Sequence, residues 1–373
     1  MYMKANYPSL NWIDSNIYNQ SMDISAQLQQ QILDAVSDNT ALQITGGNSK
    51  AFYGREMAQA TPLPVAEHTG ILDYQPTELT LTARAGTPLS EINLLLQKHG
   101  QMLPFEPPTY DGRATLGGTV AAAMSGPRRP WTGAVRDYVI GIHLLTGNGK
   151  QIRLGGKVMK NVAGYDLFRP MSGALGTLGL MLDITLKLLP LPETEASFCI
   201  AMDETGMQHS LREWTYNSLP LSAAMHDNGK LHIRLSGSAT AVADATARLP
   251  AAAEKINNDL WQQLKEQQLS FFDDSGPLYR LVVPMDAPCH TLAGDVLLDW
   301  GGALRWLKSP LDYNEVQQQA VALGGTAAVY RNGNRTEDVF SPLPAGVLEL
   351  HKRLKQVMDP HGILNPGRLY RDL

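Results

Sequence analysis

QMLPFEPPTYDGRATLGGTVAAAMSG (101–126), VRDYVIGIHLLTGNGKQIRL (135–154) and KNVAGYDLFRPMSGALGTLGLMLDITLKLLP (160–190) are three glycine-punctuated segments rich in Thr, Ser and Ala, set among strand-forming runs. Glycine has no Cβ, so such segments let a large, flat, phosphate-bearing ligand lie against main chain. A nucleotide cofactor is expected. Tyr138–Thr146 and Lys150–Leu154 flank Gly147-Asn148-Gly149, a hairpin signal, because Asn-Gly tolerates the positive φ that tight turns need. Leu180, Leu182, Ile184, Leu186 and Leu188 alternate with Asp183, Thr185 and Lys187, which predicts a half-buried strand.

Toward the N-terminus, Ile24, Leu28, Ile32, Leu33 and Val36 predict an amphipathic helix, and Ala41–Thr45 a strand. The strand runs into Gly46-Gly47-Asn48-Ser49-Lys50, a loop whose successive N–H groups can form an anion-binding concavity. Leu79–Arg84 reads as a strand and Pro88–His99 as a helix. Toward the C-terminus, Pro190-Leu191-Pro192 marks a boundary. Beyond it, strands are expected at Ser197–Met202, Leu231–Leu235, Leu278–Val283, Asp295–Trp300 and Thr326–Arg331, and helices at Ala239–Leu264 and Glu315–Leu323. A last helix, Gly346–Met358, must stop before Asp359-Pro360, and Asn365-Pro366-Gly367 reads as a tight turn. The expected organisation is a leader at 1–21, a glycine-rich domain at 22–193, an α+β cap at 194–334 and a returning segment at 335–373. The leader reads as a flexible tail or the product of an upstream start codon.

The chain carries 31 Lys and Arg against 36 Asp and Glu, a net charge of −5. That balance gives no general pull toward nucleic acid or anionic lipid. Cys199 and Cys289 are its only cysteines, too few for an iron–sulfur cluster or a cysteine-held zinc. A reducing, cytoplasmic setting is expected. The nine histidines include no H-x-H or H-x-x-x-H pair, so no metal site is expected.

A Rossmann fingerprint (G-x-G-x-x-G) and a Walker loop (G-x-x-x-x-G-K-[ST]) are both missing from the sequence. What remains is an ordered set of blocks: the Gly46-Gly47 loop; Pro107 with Thr115-Leu116-Gly117-Gly118 and Ser125-Gly126; Gly173, Gly176, Thr177 and Gly179; and Asp359-Pro360 with Asn365-Pro366-Gly367. In order and spacing they resemble the FAD-binding domain of the vanillyl-alcohol-oxidase or para-cresol-methylhydroxylase (PCMH) type. Trp300-Gly301-Gly302-Ala303-Leu304-Arg305-Trp306 and the short C-terminal segment are similar, more closely, to FAD-binding subunits of bacterial glycolate oxidases. The resemblance spans residues 22–373 and implies an α+β fold: a two-subdomain PCMH-type FAD-binding domain with a second α+β cap domain.

It also implies a site. Thr45, Gly46, Gly47, Asn48 and Ser49 would offer donors to the FAD pyrophosphate, with Lys50 as a nearby charge. Pro107, Thr115, Leu116, Gly117, Gly118, Ser125 and Gly126 would pack a helix start under the cofactor. Gly173, Gly176, Thr177 and Gly179 would keep side chains off its path, and Asn365 would close the site. Covalently flavinylated relatives carry His where this chain has Asn48, so noncovalent FAD is expected. Relatives commonly carry Glu where this chain has Leu175.

The resemblance further implies oxidation of glycolate, with D-lactate as a second substrate, and transfer of electrons to partners: a second FAD-containing catalytic subunit and an iron–sulfur subunit. Location would be cytoplasmic, or peripheral to the inner face of the cell membrane through the complex. Oxidising a 2-hydroxy acid needs a base for the hydroxyl proton and a cation for the carboxylate. Arg305, Arg331, Arg335 and His361 are the candidates, with Trp300 and Trp306 as walls of the substrate side. Two other readings stay open: an FAD-carrying assembly or relay subunit without its own turnover, and an FAD-dependent reductase acting on a nucleotide sugar.

Overall fold

The computed structural model describes residues 21–57, 59–156, 167–273, 275–289 and 292–373. The leader up to residue 20, residues 160–166 of the quoted stretch and His290 lie outside the described residues.

Two antiparallel sheets organise the chain. The first half opens with a parallel pair, β1 (Leu42–Thr45) and β2 (Thr61–Pro64). Next come β3 (Ile71–Gln75), β4 (Thr80–Arg84) and a short β5 (Gln101–Met102). β6 (Val139–Leu145), β7 (Gln151–Gly155) and β8 (Leu180–Lys187) complete a five-stranded sheet ordered β3-β4-β8-β6-β7. β9 (Leu189–Pro190) pairs with β5 where the expected boundary prolines begin.

The second sheet has eight strands: β10 (Thr194–Ala201), β11 (Leu221–Asp227), β12 (Lys230–Gly237), β13 (Glu254–Ile256), β14 (Leu278–Val282), β15 (Asp295–Asp299), β16 (Leu304–Lys308) and β17 (Thr326–Arg331). Their order is β13-β10-β12-β11-β15-β16-β14-β17. The α+β class is as the sequence predicts.

Local readings hold or fail for identifiable reasons. Leu180, Leu182, Ile184 and Leu186 of β8, and Leu188 just past its end, are fully buried, but the opposite face is not open to water as the alternation predicts. Met181 and Thr185 are buried, Thr185 and Thr82 share a 2.9 Å hydroxyl contact, and Asp183 meets the His143 ring at 2.9 Å. Alternation identifies the apolar face; it is silent on what covers the polar one. The helix expected over Ala239–Leu264 is in fact two, Ala239–Ala247 and Asp259–Glu266, with β13 between. Pro250 has no N–H and clashes with a helical predecessor, so the first helix must stop there. The helix Glu204–Tyr216 and the strands β2, β3, β11 and β16 are additional to those the sequence reading assigned.

The two sheets are joined by charge as well as by packing. The half-buried Glu106 carboxylate accepts from Arg128 Nε at 3.0 Å and from Arg234 Nη2 of β12 at 2.9 Å, and Arg128 also pairs with Glu195 of β10. The two guanidinium groups hold the Glu106 carboxyl below its ordinary range despite a desolvation penalty that is the larger single effect. Glu266, at the end of its helix, accepts from Thr109 N, Thr109 Oγ1 and Tyr110 N at 2.7–3.0 Å. Fixing the junction this way sets the eight-stranded sheet against the loops 104–126 of the first.

Candidate cofactor site

The Gly46-Gly47-Asn48-Ser49-Lys50 loop leaves β1 and forms one wall of a cleft with an empty volume of about 890 Å³, open mouth included. Three other segments, far apart in sequence, complete it: Thr115, Gly117, Gly118, Ala121 and Ala122 on the short helix Leu116–Ala122 and its cap; Leu175, Gly176, Gly179 and Met181 entering β8; and Asn365 with Arg368 from the C-terminal turn.

Space in this cleft is made by missing side chains. A Cβ built on Gly47 would stand 1.7 Å from the Arg113 carbonyl oxygen, and one on Gly46 would stand 2.7 Å from Thr115 Oγ1. Neither has a positive φ, so what these positions demand is room and not left-handed backbone. Gly117 lets its helix approach β4's continuation: a Cβ there would be 2.7 Å from the Ala85 Cβ. Small residues at 46–49, 117–122 and 176–179 thus leave main chain accessible over a long, narrow surface, which fits a dinucleotide cofactor lying against backbone.

Asn365 is the joint of the cleft. Its Oδ1 accepts from Ile44 N at 2.7 Å, its Nδ2 donates to Leu175 O at 2.6 Å, and its own N–H donates to Leu42 O at 2.9 Å. It therefore ties β1, the glycine segment and the C-terminal turn together, with both amide atoms of the side chain already engaged by protein. Behind it, the buried Lys355 ammonium donates to Thr177 O, Leu364 O and Asp359 Oδ2 at 2.7–2.9 Å, and Asp359 in turn accepts from Ile363 N and Leu364 N.

The cleft is electropositive. Lys50 lies half-buried beside Ser49 Oγ (3.1 Å) and over the Tyr110 ring, and desolvation lowers its pKa to about 8 against the opposing pull of Glu266. Arg368 donates to Ala51 O, Tyr53 O and Arg55 O, and burial followed by the Arg335 charge lowers its pKa to about 10. Two cations at the rim of a backbone-lined cleft favour an anionic ligand.

Of the residues singled out from sequence, Thr45, Gly46, Gly47, Asn48, Ser49, Lys50, Thr115, Gly117, Gly118, Gly176, Gly179 and Asn365 line this cleft. Pro107, Leu116, Ser125, Gly126, Gly173 and Thr177 stand elsewhere. Pro107 is buried in the loop beyond Glu106, and Leu116 is buried in the core of the first sheet. Ser125 Oγ accepts from Val135 N, Gly126 O accepts the Trp300 indole N–H at 2.9 Å, and Gly173 and Thr177 border a separate groove beside the C-terminal helix Ala345–Met358. Arg368, Ala85, Ala121, Ala122 and Met181 were not singled out; only Arg368 had a signal, following directly on the Asn-Pro-Gly turn.

The candidate substrate residues are placed differently from the expectation. Arg305 is fully buried and gives its guanidinium to the carbonyls of Pro288, Ala287 and Gly302, so its donors are spent on structure. His361 is exposed in the turn after the C-terminal helix and borders a surface groove with Lys352 and Arg371, apart from the cleft. Arg331 donates to Gln267 and stacks near Phe52 and Tyr330, Arg335 donates to Gly54 O at 2.7 Å, and Trp306 packs on Tyr330 at 4.7 Å.

The FAD binding domain family model matches residues 24–155. The chain is 46% identical to the glycolate oxidase subunit GlcE of Escherichia coli over 94% of its own length and 99% of that protein. It is 38% identical to the glycolate oxidase subunit GlcD of Bacillus subtilis over 34% of this chain and 26% of the relative. Among solved structures, p-cresol methylhydroxylase superposes with a TM-score of 0.72 at 16% identity, covering 94% of this chain and 88% of that one, a likeness of fold.

Proposed function

This chain belongs to the family of the glycolate oxidase subunit GlcE, and on that premise we propose that it carries the FAD through which a multi-subunit enzyme oxidises glycolate, and D-lactate as a second substrate, to the 2-oxo acid. It is an FAD-dependent oxidoreductase that acts within a complex. The observation that carries the reading is the convergence of four glycine- and alanine-rich segments and two cations on one cleft.

When bound, FAD supplies the acceptor for the hydrogen on Cα of a 2-hydroxy acid. The chain's own residues do the rest. In this reading the N–H groups of Gly46, Gly47, Asn48 and Ser49 hold the pyrophosphate, Lys50 balances its charge, and Asn365 keeps the three walls in register. Residues 22–193 with 335–373 form the cofactor-holding unit, and 194–334 cap it. Two cysteines cannot ligate an iron–sulfur cluster, so electrons leave through a partner: a second, GlcD-like FAD subunit and an iron–sulfur subunit. No helix among the described residues is long and apolar enough to cross a membrane; attachment at the inner face of the cell membrane would come through the complex.

A relay role without substrate turnover has one observation in its favour. Between the cleft loop and the cap, Phe52, Tyr53, Tyr110, Trp306, Tyr330 and Phe340 pack ring against ring with centroids 4.7–6.0 Å apart. Anaerobic addition of glycolate separates the two readings. If this subunit turns over substrate, the flavin band of the isolated chain bleaches; if it only relays, the band bleaches only once partner subunits are present. A purified complex in which this chain holds no flavin would defeat both.

Lys50 gives a pH prediction. Its lowered pKa means the free cleft loses that charge as pH rises through about 8, whereas a bound pyrophosphate favours the charged form. FAD affinity is therefore expected to be flat below pH 8 and to fall above it, by at most about tenfold per pH unit. Equilibrium dialysis checks this, and Lys50→Met should abolish the slope.

A further inference from the structure

The turn Trp300-Gly301-Gly302 between β15 and β16 holds three consecutive residues at positive φ, 54°, 66° and 98°. For glycine this is ordinary. For tryptophan it costs about 1–2 kcal/mol relative to the right-handed region. The turn is kept by Asp299 Oδ1, which accepts from Trp300 N at 2.6 Å, and by the indole N–H, which donates across the junction to Gly126 O. The result is a buried indole fixed where the two sheets meet.

Two guanidinium groups from opposite sides of the junction stack on that indole. Arg129, on the short helix Arg129–Thr132 of the first half, lies 4.4 Å from the ring centroid; Arg280, on β14, lies 5.1 Å from it. Both are half-buried, and neither guanidinium makes a hydrogen bond or ion pair among the described residues. Elsewhere at the junction arginines are matched: Arg128 and Arg234 share Glu106 and Glu195. Burial, and then the Arg280 charge, push the Arg129 guanidinium down from its ordinary range. Ten N–H donors on two like charges brought together without acceptors make an arrangement suited to an anion.

The groups facing this pair do not cancel it. On the Arg129 side stand Arg136, which adds positive charge, and Asp137, whose carboxylate caps Ala134 N. On the Arg280 side stand the hydroxyls of Tyr53 and Tyr330 and the carboxyl of Asp299. Asp299 is completely buried, and desolvation raises its pKa to about 7, so near neutral pH it carries only part of a negative charge. Tyr53 belongs to the loop that follows the Gly46–Lys50 wall of the cleft, and Ala122, which lines the cleft, packs in the same cluster as Trp300. The arginine pair does not line the cleft itself; it is joined to the cleft through Tyr53, which feels the Arg280 charge, and through the cluster that holds Trp300 and Ala122.

We propose that Arg129 and Arg280, presented on the face of Trp300, form the binding site for the carboxylate of a small 2-hydroxy or 2-oxo acid. The inference rests on the reading that a 2-hydroxy acid reaches this subunit. Each guanidinium offers paired N–H donors to a carboxylate, and the indole gives the short carbon chain an apolar wall. Arg305, Arg331 and Arg335, the arginines suggested by sequence, spend their guanidinium donors on hydrogen bonds to protein; these two guanidinium groups meet the indole and make no hydrogen bond among the described residues.

The test is titration of the FAD-loaded full chain with oxalate, a small carboxylate that cannot undergo the oxidation, followed by calorimetry and tryptophan fluorescence, with chloride as ionic-strength control. Saturable binding is expected, weakened roughly 10- to 100-fold by Arg280→Met and by Arg129→Met, the loss of a charge-assisted hydrogen bond in each. Arg280→Lys should retain part of the affinity, which shows that a variant has lost charge and geometry and not its fold; flavin content should stay at the wild-type level in all. Equal oxalate affinity in wild type and in the Arg129→Met, Arg280→Met double variant would overturn the proposal. So would flavin reduction by glycolate in a protein that does not bind oxalate, while leaving the oxidising role intact. Arginine-dependent oxalate binding without glycolate reduction would support the site and count against turnover in this subunit.

Discussion

Lys355→Met is expected to destabilise the protein by about 3–5 kcal/mol, the typical result of removing one partner from a buried ion pair. Lys355 keeps 10% of its side-chain exposure and Asp359 none, and the ammonium is the shared donor for the Asp359 carboxylate and the carbonyls of Thr177 and Leu364. Its removal strands a buried carboxylate and two buried carbonyls at once. Those carbonyls belong to the glycine segment and the C-terminal segment that wall the cleft, so FAD should also be lost at lower temperature. Thermal denaturation with flavin fluorescence as the probe checks both effects. Asp359→Asn should cost less, since Lys355 keeps the carbonyls of Thr177 and Leu364, although one of the two carboxylate oxygens, each of which accepts from a backbone N–H, becomes an NH2. The double variant should be less damaged than the two costs added together, because the second change removes the stranded charge. A Lys355→Met protein as stable as wild type would show that the pair contributes nothing net.

Gly47→Ala is the second large effect. The new methyl would point at the main-chain oxygen of Arg113, 1.7 Å away, and a backbone atom held between Tyr110 and the strand-like approach to Thr115 cannot rotate aside. Overpacking of this kind costs typically about 1–3 kcal/mol and here should reach or pass the upper end. Relief requires the 46–50 loop or the 109–115 loop to shift, and both wall the cleft, so FAD affinity should fall by at least about tenfold, the equivalent of 1.4 kcal/mol. Gly46→Ala meets Thr115 Oγ1, which must give up its cap bond from Gly118 N to turn aside, and should cost less flavin than Gly47→Ala because no main-chain atom has to move. Gly346→Ala, with nothing within 4 Å of the added Cβ and a helical position, is the control and should be neutral or slightly stabilising. Flavin content after gel filtration and the dissociation constant by fluorescence quenching distinguish the three.

The legible part of the molecule was its local chemistry. The Asn-Gly hairpin, the aliphatic face of β8 and the last helix with its stop before Asp359-Pro360 are each governed by a few neighbouring residues, and they form as those residues dictate. The one long misreading, a single helix over 239–264, came from overlooking Pro250, a signal present in the sequence. The glycine blocks were visible as places where main chain is left bare. Whether a given glycine faces the cleft was not: Gly176 and Gly179 do, while Gly173, in the same run, serves a groove on the other side.

The sequence by itself determined the class of ligand, because the absence of Cβ atoms, the missing Rossmann and Walker patterns and the order of four blocks are properties of the chain read in line. Only the tertiary structure decided which polar side chains remain free to act. Arg305 and Arg129 look alike in sequence, yet one is consumed by three carbonyls and the other meets an indole contributed by a turn far along the chain. Lys355 reads as one more lysine on an amphipathic helix until the fold brings Thr177 and Leu364 to its ammonium. The physical reason is common to both cases: a charge is defined by its partners, and partners many residues away are supplied by packing, which no local pattern of residue types records.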